Sequence, residues 1–475
     1  MPVVIEINLF YPKGLAAAAQ RFRQVLRTVG GDEEPLPLAD TYYRCHLSVK
    51  QVAALIAKDQ DVRDAKLRSI YRVWPDFKMR VLIDRSASTV KADAARRSYD
   101  ASGTDVVWAV IDSGIDAKHP HFKAFNTLEG PVAELHRDFT APGKPTVKGA
   151  LKDELGHGTH VAGIIAGGLL NAVLRGTRRY TPFVGRRVST ARNPNTLDFR
   201  DETERIEERT VTQPERLAGV APRCQLVSLK VLDAKGDVRS TDVIRALEYV
   251  RKEVNGHGKP PLRIHGVNLS LGYDYNAKWF ACGQSPICVE VDRLVRSGVV
   301  VVIAAGNTGY GELKSREGDT STGLSLTIND PGNAEMAITV GSTHRDSPYT
   351  YGVSFFSSKG PTGDGRLKPD LVAPGERITS CAAGKNLELL QNASRLEWRK
   401  RWPRNAAPYI DASGTSMAAP HVSGAIAAFL SIRREFIGRP EEIKRIFLQN
   451  ATSLGRERYF EGRGLVDLMR AISAV

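Results

Sequence analysis

The chain has 475 residues, of which 25% are charged and 42% hydrophobic, and a formal net charge of +14. This length allows two or three domains of about 100–200 residues, or one large α/β domain with a smaller one attached, and the composition is ordinary for a soluble globular protein. A basic excess of this kind is more often a solvated exterior than a nucleic-acid surface. Because no nucleic-acid-binding module is visible, we do not expect a nucleic-acid partner.

The N-terminus lacks the basic start and apolar core of a secretory signal. No apolar run approaches the roughly 18 residues that span a bilayer, so we expect no membrane span and a cytoplasmic location. The cysteines, too sparse for a disulfide framework, are Cys45, Cys224, Cys282, Cys288 and Cys381. The spacing of Cys282 and Cys288 allows one local disulfide, and no zinc-ligand spacing is found.

Residues 1–83 show short strand and helix patterns. Strands are predicted near 3–10, 42–49 and 67–74, and helices near 15–28 and 51–58. This order indicates a small α+β domain of the ferredoxin-like kind. The charged stretch 84–104 is interpreted as a linker that becomes helical near its end.

Residues 105–475 alternate apolar runs with helical patterns. The unbroken apolar runs, which suit strands buried on both faces of a parallel sheet, are 106–111, 226–232, 264–271, 299–305 and 336–340. Helical patterns at 240–254 and 287–297 lie between them. The alternation predicts a doubly wound α/β domain with a mostly parallel sheet. Functional sites in such sheets form beyond the C-terminal ends of the strands, where Asp112 and Asn307 follow their runs.

Two densely charged segments, 168–216 and 384–408, interrupt this alternation. We interpret both as surface insertions made of solvated loops or short helices. The alternative is that they contact a partner or a substrate beside a cleft.

Near the end of the chain, small residues surround Ser416, and an almost purely apolar run follows at 425–430. A run that is apolar on all sides predicts a helix buried in a core. Ser416 would then lie at the N-terminus of this helix, where free N–H groups and the helix dipole favour a negative charge beside it. A nucleophile fits this setting. On this stretch alone, a Gly/Ser turn that leads into a core helix fits equally well.

Glycines also surround His157, and a small-residue helix follows at 161–166. The position of His157 at a turn predicts that its ring projects into a cleft. His160 lies one turn further on, within the helix, and is interpreted as a packed, hydrogen-bonded core residue.

Three stretches, 112–115, 156–163 and 414–424, resemble the active-site blocks of the subtilisin-like serine proteases, and they occur in that family's order of Asp, His and Ser. Further matches to the family lie at 268–272, 304–307, 368–375 and 462–467. The resemblance covers about residues 100–475 apart from the two charged segments, and it implies the subtilisin-like fold for residues 105–475.

The resemblance implies a catalytic triad. A serine hydroxyl is a weak nucleophile and needs an adjacent base. His157 would take the proton of Ser416 and pass it to the leaving amine, while Asp112 would hold the imidazole in the useful tautomer and stabilise its cation. The N–H of Ser416 and the amide of Asn307 would bind the oxyanion. The resemblance thus implies a serine endopeptidase that would act on proteins or peptides through an acyl-enzyme, with chemistry that would require no cofactor.

The resemblance also implies where a substrate binds. The family's substrate-binding segments correspond to Ser270, Leu271 and Gly272, and to Ala304, Ala305 and Gly306. The first would pair with an extended peptide through main-chain hydrogen bonds. The second would wall the pocket for the residue before the cleaved bond, and its small side chains favour a large apolar residue there. We expect the pocket floor within 308–323.

Calcium is common in the family, but the segment 168–216 replaces the region that often holds it. Structural calcium therefore stays open, and no ligand is assigned. Residues 1–83 weakly resemble the family's propeptide-like inhibitor domain, which implies intramolecular inhibition. An unrelated accessory module is the alternative.

Two other functions agree less well with the sequence. An α/β-hydrolase esterase would have G-x-S-x-G and the order Ser, Asp, His, whereas here Ala418 replaces the last glycine and Ser416 comes last. The second alternative is a catalytically inactive binding or scaffold protein on a protease fold. The presence of all three triad residue types and Asn307 argues against it.

Overall fold

The computed structural model describes residues 2–30, 35–38, 41–62, 64–75, 86–141, 145–169, 180–191, 202–209, 216–276, 278, 281–315, 318–393 and 405–475. Contacts divide the chain into two units, Met1–Leu82 and Ile83–Val475. Each unit has its own hydrophobic core.

The smaller unit is a four-stranded antiparallel sheet with two helices. Its elements in chain order are β1 (Pro2–Ile7), α1 (Gly14–Thr28), β2 (Leu36–Leu38), β3 (Tyr42–His46), α2 (Val49–Gln60), a 3₁₀ turn (Ala65–Leu67) and β4 (Ile70–Pro75). The strand order β2-β3-β1-β4 and the β-α-β-β-α-β succession are ferredoxin-like. Alternate residues of β1, including Ile5 and Ile7, share one buried cluster with Phe22 of α1. The predicted α+β domain is confirmed.

The larger unit is built on a seven-stranded sheet. The strands of this unit are β5 (Val107–Asp112), β6 (Arg137–Asp138), β7 (Thr181–Ala191), β8 (Glu202–Arg209), β9 (Gln225–Lys230), β10 (Gly266–Leu269), β11 (Val300–Ala304), β12 (Tyr310–Ser315), β13 (Gly318–Gly323), β14 (Ile338–His344), β15 (Leu371–Glu376), β16 (Ile378–Cys381) and β17 (Ala406–Ala412). The sheet order is β15-β14-β11-β10-β5-β9-β6, and every neighbouring pair is parallel. All five predicted apolar runs supply strands of this sheet.

Helices cover both faces of the sheet. They are α3 (Ser86–Thr89), α4 (Ala92–Tyr99), α5 (Pro120–Lys123), α6 (Val147–Ala150), α7 (His157–Ile165), α8 (Ser240–Glu248), α9 (Pro286–Arg296), α10 (Pro348–Tyr351), α11 (Gly384–Ala393), α12 (Thr415–Ile432), α13 (Pro440–Gln449), α14 (Arg458–Glu461) and α15 (Leu468–Ser473). Short 3₁₀ helices lie at Gly130–Val132 and Arg434–Phe436, and a π-helix follows α8 at Tyr249–Val254. Alternate residues of β5 enter opposite cores, Trp108 with α7 and α12, and Ala109 with α8 and α9. The predicted doubly wound fold is confirmed.

The interpretation of 84–104 as a linker is wrong for most of its length. Residues 86–99 form α3 and α4. Val90, Ala92 and Ala95 are fully buried in the core of the larger unit. Small side chains give the stretch low hydrophobicity, yet they allow the helix to approach the core closely, which composition does not reveal.

The charged segments contain strands as well as helix. β7 from the first segment pairs with β17 and β8, giving a second sheet in the order β16-β17-β7-β8. In the second segment, α11 is followed by β17. The expectation of loops or short helices is therefore wrong for β7 and β8, because main-chain pairing to a remote strand leaves no local signal. In the second segment α11 agrees with the expectation, and β17 lies mostly beyond the segment. Residues 170–179, 192–201, 210–215 and 394–404 lie outside the described part of the chain.

Helix α12 is the central helix of the larger unit. Its 18 residues are long and apolar enough to cross a membrane by composition, but 83% of the helix is buried inside the protein. This burial confirms the core helix that the apolar run after Ser416 predicts.

All five cysteines are buried and free. The local disulfide that the spacing of Cys282 and Cys288 allows does not form in this structure.

Replacement of Phe429 by Ala tests the packing of α12. The ring is fully buried, 5.5 Å between centroids from that of Phe447. We expect the free energy of unfolding to fall by about 3–5 kcal/mol, since the burial of the ring is lost and a cavity remains. Urea unfolding measures this, with Ser416→Ala in all chains so that the protease activity expected from the resemblance cannot cleave them. The control Tyr349→Ala removes a ring that is 55% exposed, and an equal loss in both variants would contradict the packing.

Candidate active site

Asp112 and His157 lie close together because β5 ends, and α7 begins, at the same edge of the sheet. Asp112 is the last residue of β5, and His157 is the first residue of α7. Gly156 makes the turn before His157 with φ at +87°, and a Cβ there would lie 2.1 Å from the carbonyl oxygen of Ala383. Only glycine fits this turn, and the turn directs the ring toward Asp112.

The two side chains are hydrogen-bonded. His157 Nδ1 lies 2.8 Å from Asp112 Oδ1, which also accepts the N–H of Ser113 at 2.7 Å. The Asp112 carboxylate is buried, while the imidazole is 30% exposed. Burial lowers the pKa of His157, but the charge and hydrogen bond of Asp112, with the charge of Asp153, outweigh it and raise the pKa above 6.5.

Asp153 is a residue that the sequence reasoning missed. It is 6% exposed and accepts hydrogen bonds from the backbone of Gly156 at 2.7 Å and Thr159 at 2.8 Å. It also accepts from the hydroxyls of Thr159 and Ser113. Burial raises its pKa despite these hydrogen bonds, which favour the charged form. Asp153 fixes the turn before His157, and its position four residues before a Gly-flanked histidine is the signal that could have found it.

Ser416 lies at the start of α12, as predicted. Its hydroxyl donates to the carbonyl of Ser270 at 3.0 Å. Within the described residues there is no hydrogen bond between Ser416 and His157, although both line one cleft. The backbone N–H of Ser416 is one of the first-turn donors that the helix itself leaves unpaired.

Asn307 lines the same cleft, and two hydrogen bonds define the orientation of its side-chain amide. Its Oδ1 accepts the backbone N–H of Thr415 at 2.9 Å and the Thr415 hydroxyl at 3.0 Å. Because a backbone N–H can only donate, the acceptor must be the oxygen of the amide. The Nδ2 group is therefore left as a donor toward the cleft.

The cleft has a volume of about 1190 Å³ and contains most of the predicted residues. Those that line it are His157, Ser270, Leu271, Gly272, Ala304, Gly306, Asn307 and Ser416. Asp112 and Ala305 are the exceptions. Asp112 is buried and acts on the cleft through its hydrogen bond to His157. Ala305 is fully buried, donates to the carbonyl of Val340 and accepts from Asn329, so it supports the wall from behind.

The predicted pocket floor is only partly right. Thr308 lines the cleft, but so does Asn329, which lies beyond the predicted range. The Thr308 hydroxyl donates to Asn329 Oδ1 at 3.2 Å. A Cβ added to Gly306 would lie 2.7 Å from Cγ of Asn329, so the amide packs directly behind this wall. Thr308 and Asn329 thus place polar groups at this wall, while Phe355 and Phe356 line the same cleft, and the preference for a large apolar residue stays a prediction.

His160 is a core residue, as interpreted. It is 1% exposed and its Nε2 bonds to the carbonyl of Ile410 at 3.0 Å. Across the described residues there is no group of three or more His, Cys, Asp or Glu side chains that could hold a metal ion, so no calcium ligand is assigned.

Comparison with protein families decides the classification. The model of the subtilase family, Peptidase_S8, matches residues 103–465. The chain belongs to the subtilase family. It is therefore a serine protease of the subtilisin-like kind, and the esterase alternative is set aside.

Individual subtilases are distant in sequence. The serine protease AprX of Bacillus subtilis is 27% identical over 395 residues, which cover 81% of this chain and 70% of AprX. Pyrolysin of Pyrococcus furiosus is 29% identical over 73% of this chain but only 23% of its own length. Subtilisin of Bacillus pumilus is 27% identical over 81% of this chain and 96% of its own length.

Asp112→Asn should lower the pKa of His157, because burial then acts without the charge that outweighs it. In the parent chain the protonated ring stabilises the fold. That stability is fully present below the unfolded pKa of 6.5 and is lost as the pH rises through the higher folded pKa. NMR titration of the ring protons measures both values. Glu376→Gln, which removes another carboxylate of the cleft, is the control. An unchanged or higher pKa in Asp112→Asn would contradict this account.

Proposed function

We propose that this subtilase is an endopeptidase that cleaves proteins or peptides through an acyl-enzyme. Ser416 is the nucleophile, His157 the general base and Asp112 the residue that orients it. The observation that carries the proposal is the meeting of separate chain segments in one cleft. The ring of His157, which bonds to Asp112 at 2.8 Å, lines the cleft together with Ser416 at the N-terminus of α12 and with Asn307, whose Nδ2 can donate.

Proton transfer follows from the hydrogen bond of His157. Because Nδ1 faces a carboxylate, it carries the proton, and Nε2 remains as the acceptor. The Ser416 hydroxyl must turn from the carbonyl of Ser270 toward Nε2 before it can attack. Catalytic hydrogen bonds are often misdirected in the free enzyme and form with substrate bound. His157 then protonates the leaving amine, and Asp112 stabilises the cation formed in between.

The developing oxyanion has two donors in this proposal, the N–H of Ser416 and Nδ2 of Asn307. Thr415 holds the other end of the Asn307 amide through two hydrogen bonds. The donor is therefore oriented before reaction, which is the condition for strong transition-state stabilisation.

Substrate would lie in extended form against Ser270, Leu271 and Gly272, with the residue before the cleaved bond between Ala304 and Gly306. All five line the cleft. The proposed chemistry requires no cofactor.

A catalytically inactive scaffold is the second candidate. The bond of the Ser416 hydroxyl to Ser270 rather than to His157 is the observation that favours it. Reactivity of the serine distinguishes the two.

A fluorophosphonate probe should label the parent chain and not Ser416→Ala, since labelling requires an activated serine hydroxyl. Asn307→Ala should retain the serine but turn over peptides about 10²–10³-fold more slowly, a magnitude measured on subtilisin itself. Label detection by mass spectrometry and peptide cleavage rates measure these effects. If neither the parent nor Ser416→Ala is labelled under any activating condition, or if both are, the proposed mechanism fails.

We also propose that residues 1–83 act as an intramolecular inhibitor. The compact Met1–Leu82 unit, with its own core, supports a separable module of this kind. The stretch 76–85, where cleavage would release it, lies outside the described residues.

Incubation of the purified chain tests this role. We expect a cut between about residues 75 and 105 in the parent chain, accompanied by a rise in peptidase activity, and no cut in Ser416→Ala. Mass spectrometry locates the new N-terminus. A parent chain that stays intact while fully active would contradict the inhibitory role.

A further inference from the structure

The cleft is also lined by residues outside the segments proposed to hold the acyl part of the substrate. They come from β15, the turn after it, α11 and the residues before Ser416. We call Glu376, Arg377, Lys385, Asn386 and Ser413 the leaving-side wall. Because the acyl part is assigned to the other segments, we assign this wall to the part that leaves as the amine.

Arg377 is held at the nucleophile's end of this wall. Its backbone N–H donates to the hydroxyl of Ser413 at 2.9 Å, and Ser413 lies three residues before Ser416. Its carbonyl accepts from Arg345 at 2.7 Å. The φ angle of Arg377 is +50°, a left-handed conformation that is uncommon for a long side chain. Strain of this kind persists where the surroundings impose it and is frequent at functional sites.

Lys385 is held at the general base's end of the wall. Its backbone N–H donates to the carbonyl of Glu154 at 3.0 Å, and the neighbouring Asn386 donates to the carbonyl of Gly156 at 3.2 Å. Both acceptors belong to the turn that leads into His157. The start of α11 is thus hydrogen-bonded to the turn before His157, and the exposed Lys385 lines the cleft.

Neither cation has a partner in the described residues. No carboxylate lies within ion-pair distance of the Arg377 or Lys385 side chain there, and Arg345, not Arg377, pairs with the buried Asp411. Glu376 is the one acidic side chain of the leaving-side wall, so the wall has a net positive charge. Two such cations, one attached next to Ser413 and the other to the turn before His157, suit an anionic ligand.

We propose that Arg377 and Lys385 form a subsite for acidic residues in the first positions after the cleaved bond. The inference rests on the proposed endopeptidase function and names its substrate class. An Asp or Glu there pairs with one or both cations, whereas a Lys or Arg is repelled. The negative charge of Glu376 opposes the preference for acidic residues, so replacement of Glu376 by a neutral residue strengthens this preference.

The test measures cleavage preference directly. The parent chain digests a random peptide library, and mass spectrometry maps the residues on both sides of each cut. Quenched peptides built on one such sequence, with Glu, Gln or Lys after the bond, then give kcat/KM. We expect the order Glu, Gln, Lys, with a ratio that shrinks as salt rises.

Variants assign the preference to this wall. Arg377→Gln and Lys385→Gln should each reduce the Glu-to-Gln ratio by about two- to five-fold, the range of one exposed ion pair. Arg377→Glu should favour the Lys peptide instead, and Glu376→Gln should raise the Glu-to-Gln ratio. Arg458→Gln, an exposed arginine outside the cleft, is the matched control and should change nothing.

The outcomes separate the subsite from the underlying function. Fluorophosphonate labelling confirms that each variant retains a reactive serine. Cleavage without an acidic preference, or with one that the wall variants leave unchanged, overturns the subsite alone. A parent chain that neither labels nor cleaves overturns the proposed function and the subsite with it.

Discussion

Burial of α12 against the parallel sheet is the constraint on which the rest of the larger unit depends. The helix packs against β10, β11, β14 and β15, and residues 417–430 are all buried. Gly424 allows this approach, since a Cβ there would lie 2.6 Å from Cβ of Val220. Because α12 is packed along most of its length, its N-terminus has a fixed position. Ser416 therefore faces the C-terminal edge of the strands, where the other polar residues of the site emerge.

A polar network within this apolar contact sets the position of the serine. Asn268 of β10 accepts from the Ser423 hydroxyl and donates to the Ser270 hydroxyl, both at 2.9 Å. Ser270 in turn donates to the carbonyl of Ser416 at 3.0 Å. Asn268 and Ser270 each bond to a residue of α12, so the network joins strand and helix in one register. The same contacts that stabilise the core thus hold Ser416, the proposed nucleophile, beside the strand proposed to bind substrate.

Two buried carboxylates govern the opposite side of the cleft. Asp112 acts on the ring of His157, and Asp153 acts on the turn that carries it. Their charges outweigh the effect of burial and keep the pKa of the histidine above 6.5. The start of α11 binds this same turn through Lys385 and Asn386. A segment that looked like a charged surface insertion therefore reaches the site.

Local sequence determined five strands of the seven-stranded sheet, the core helix and the candidate residues of the site. An apolar run predicts a buried strand whichever strands it pairs with. Small residues around Asp112, His157 and Ser416 predict turns at these positions. The sequence did not determine which remote segments complete the site. Pairing of β7 with β17, burial of Ala92 and Ala95, the polar end made by Asn329 and the approach of Arg377 all depend on contacts between distant parts of the chain. Such contacts are decided by packing and main-chain pairing in three dimensions, which leave no periodicity or motif in the residues that make them.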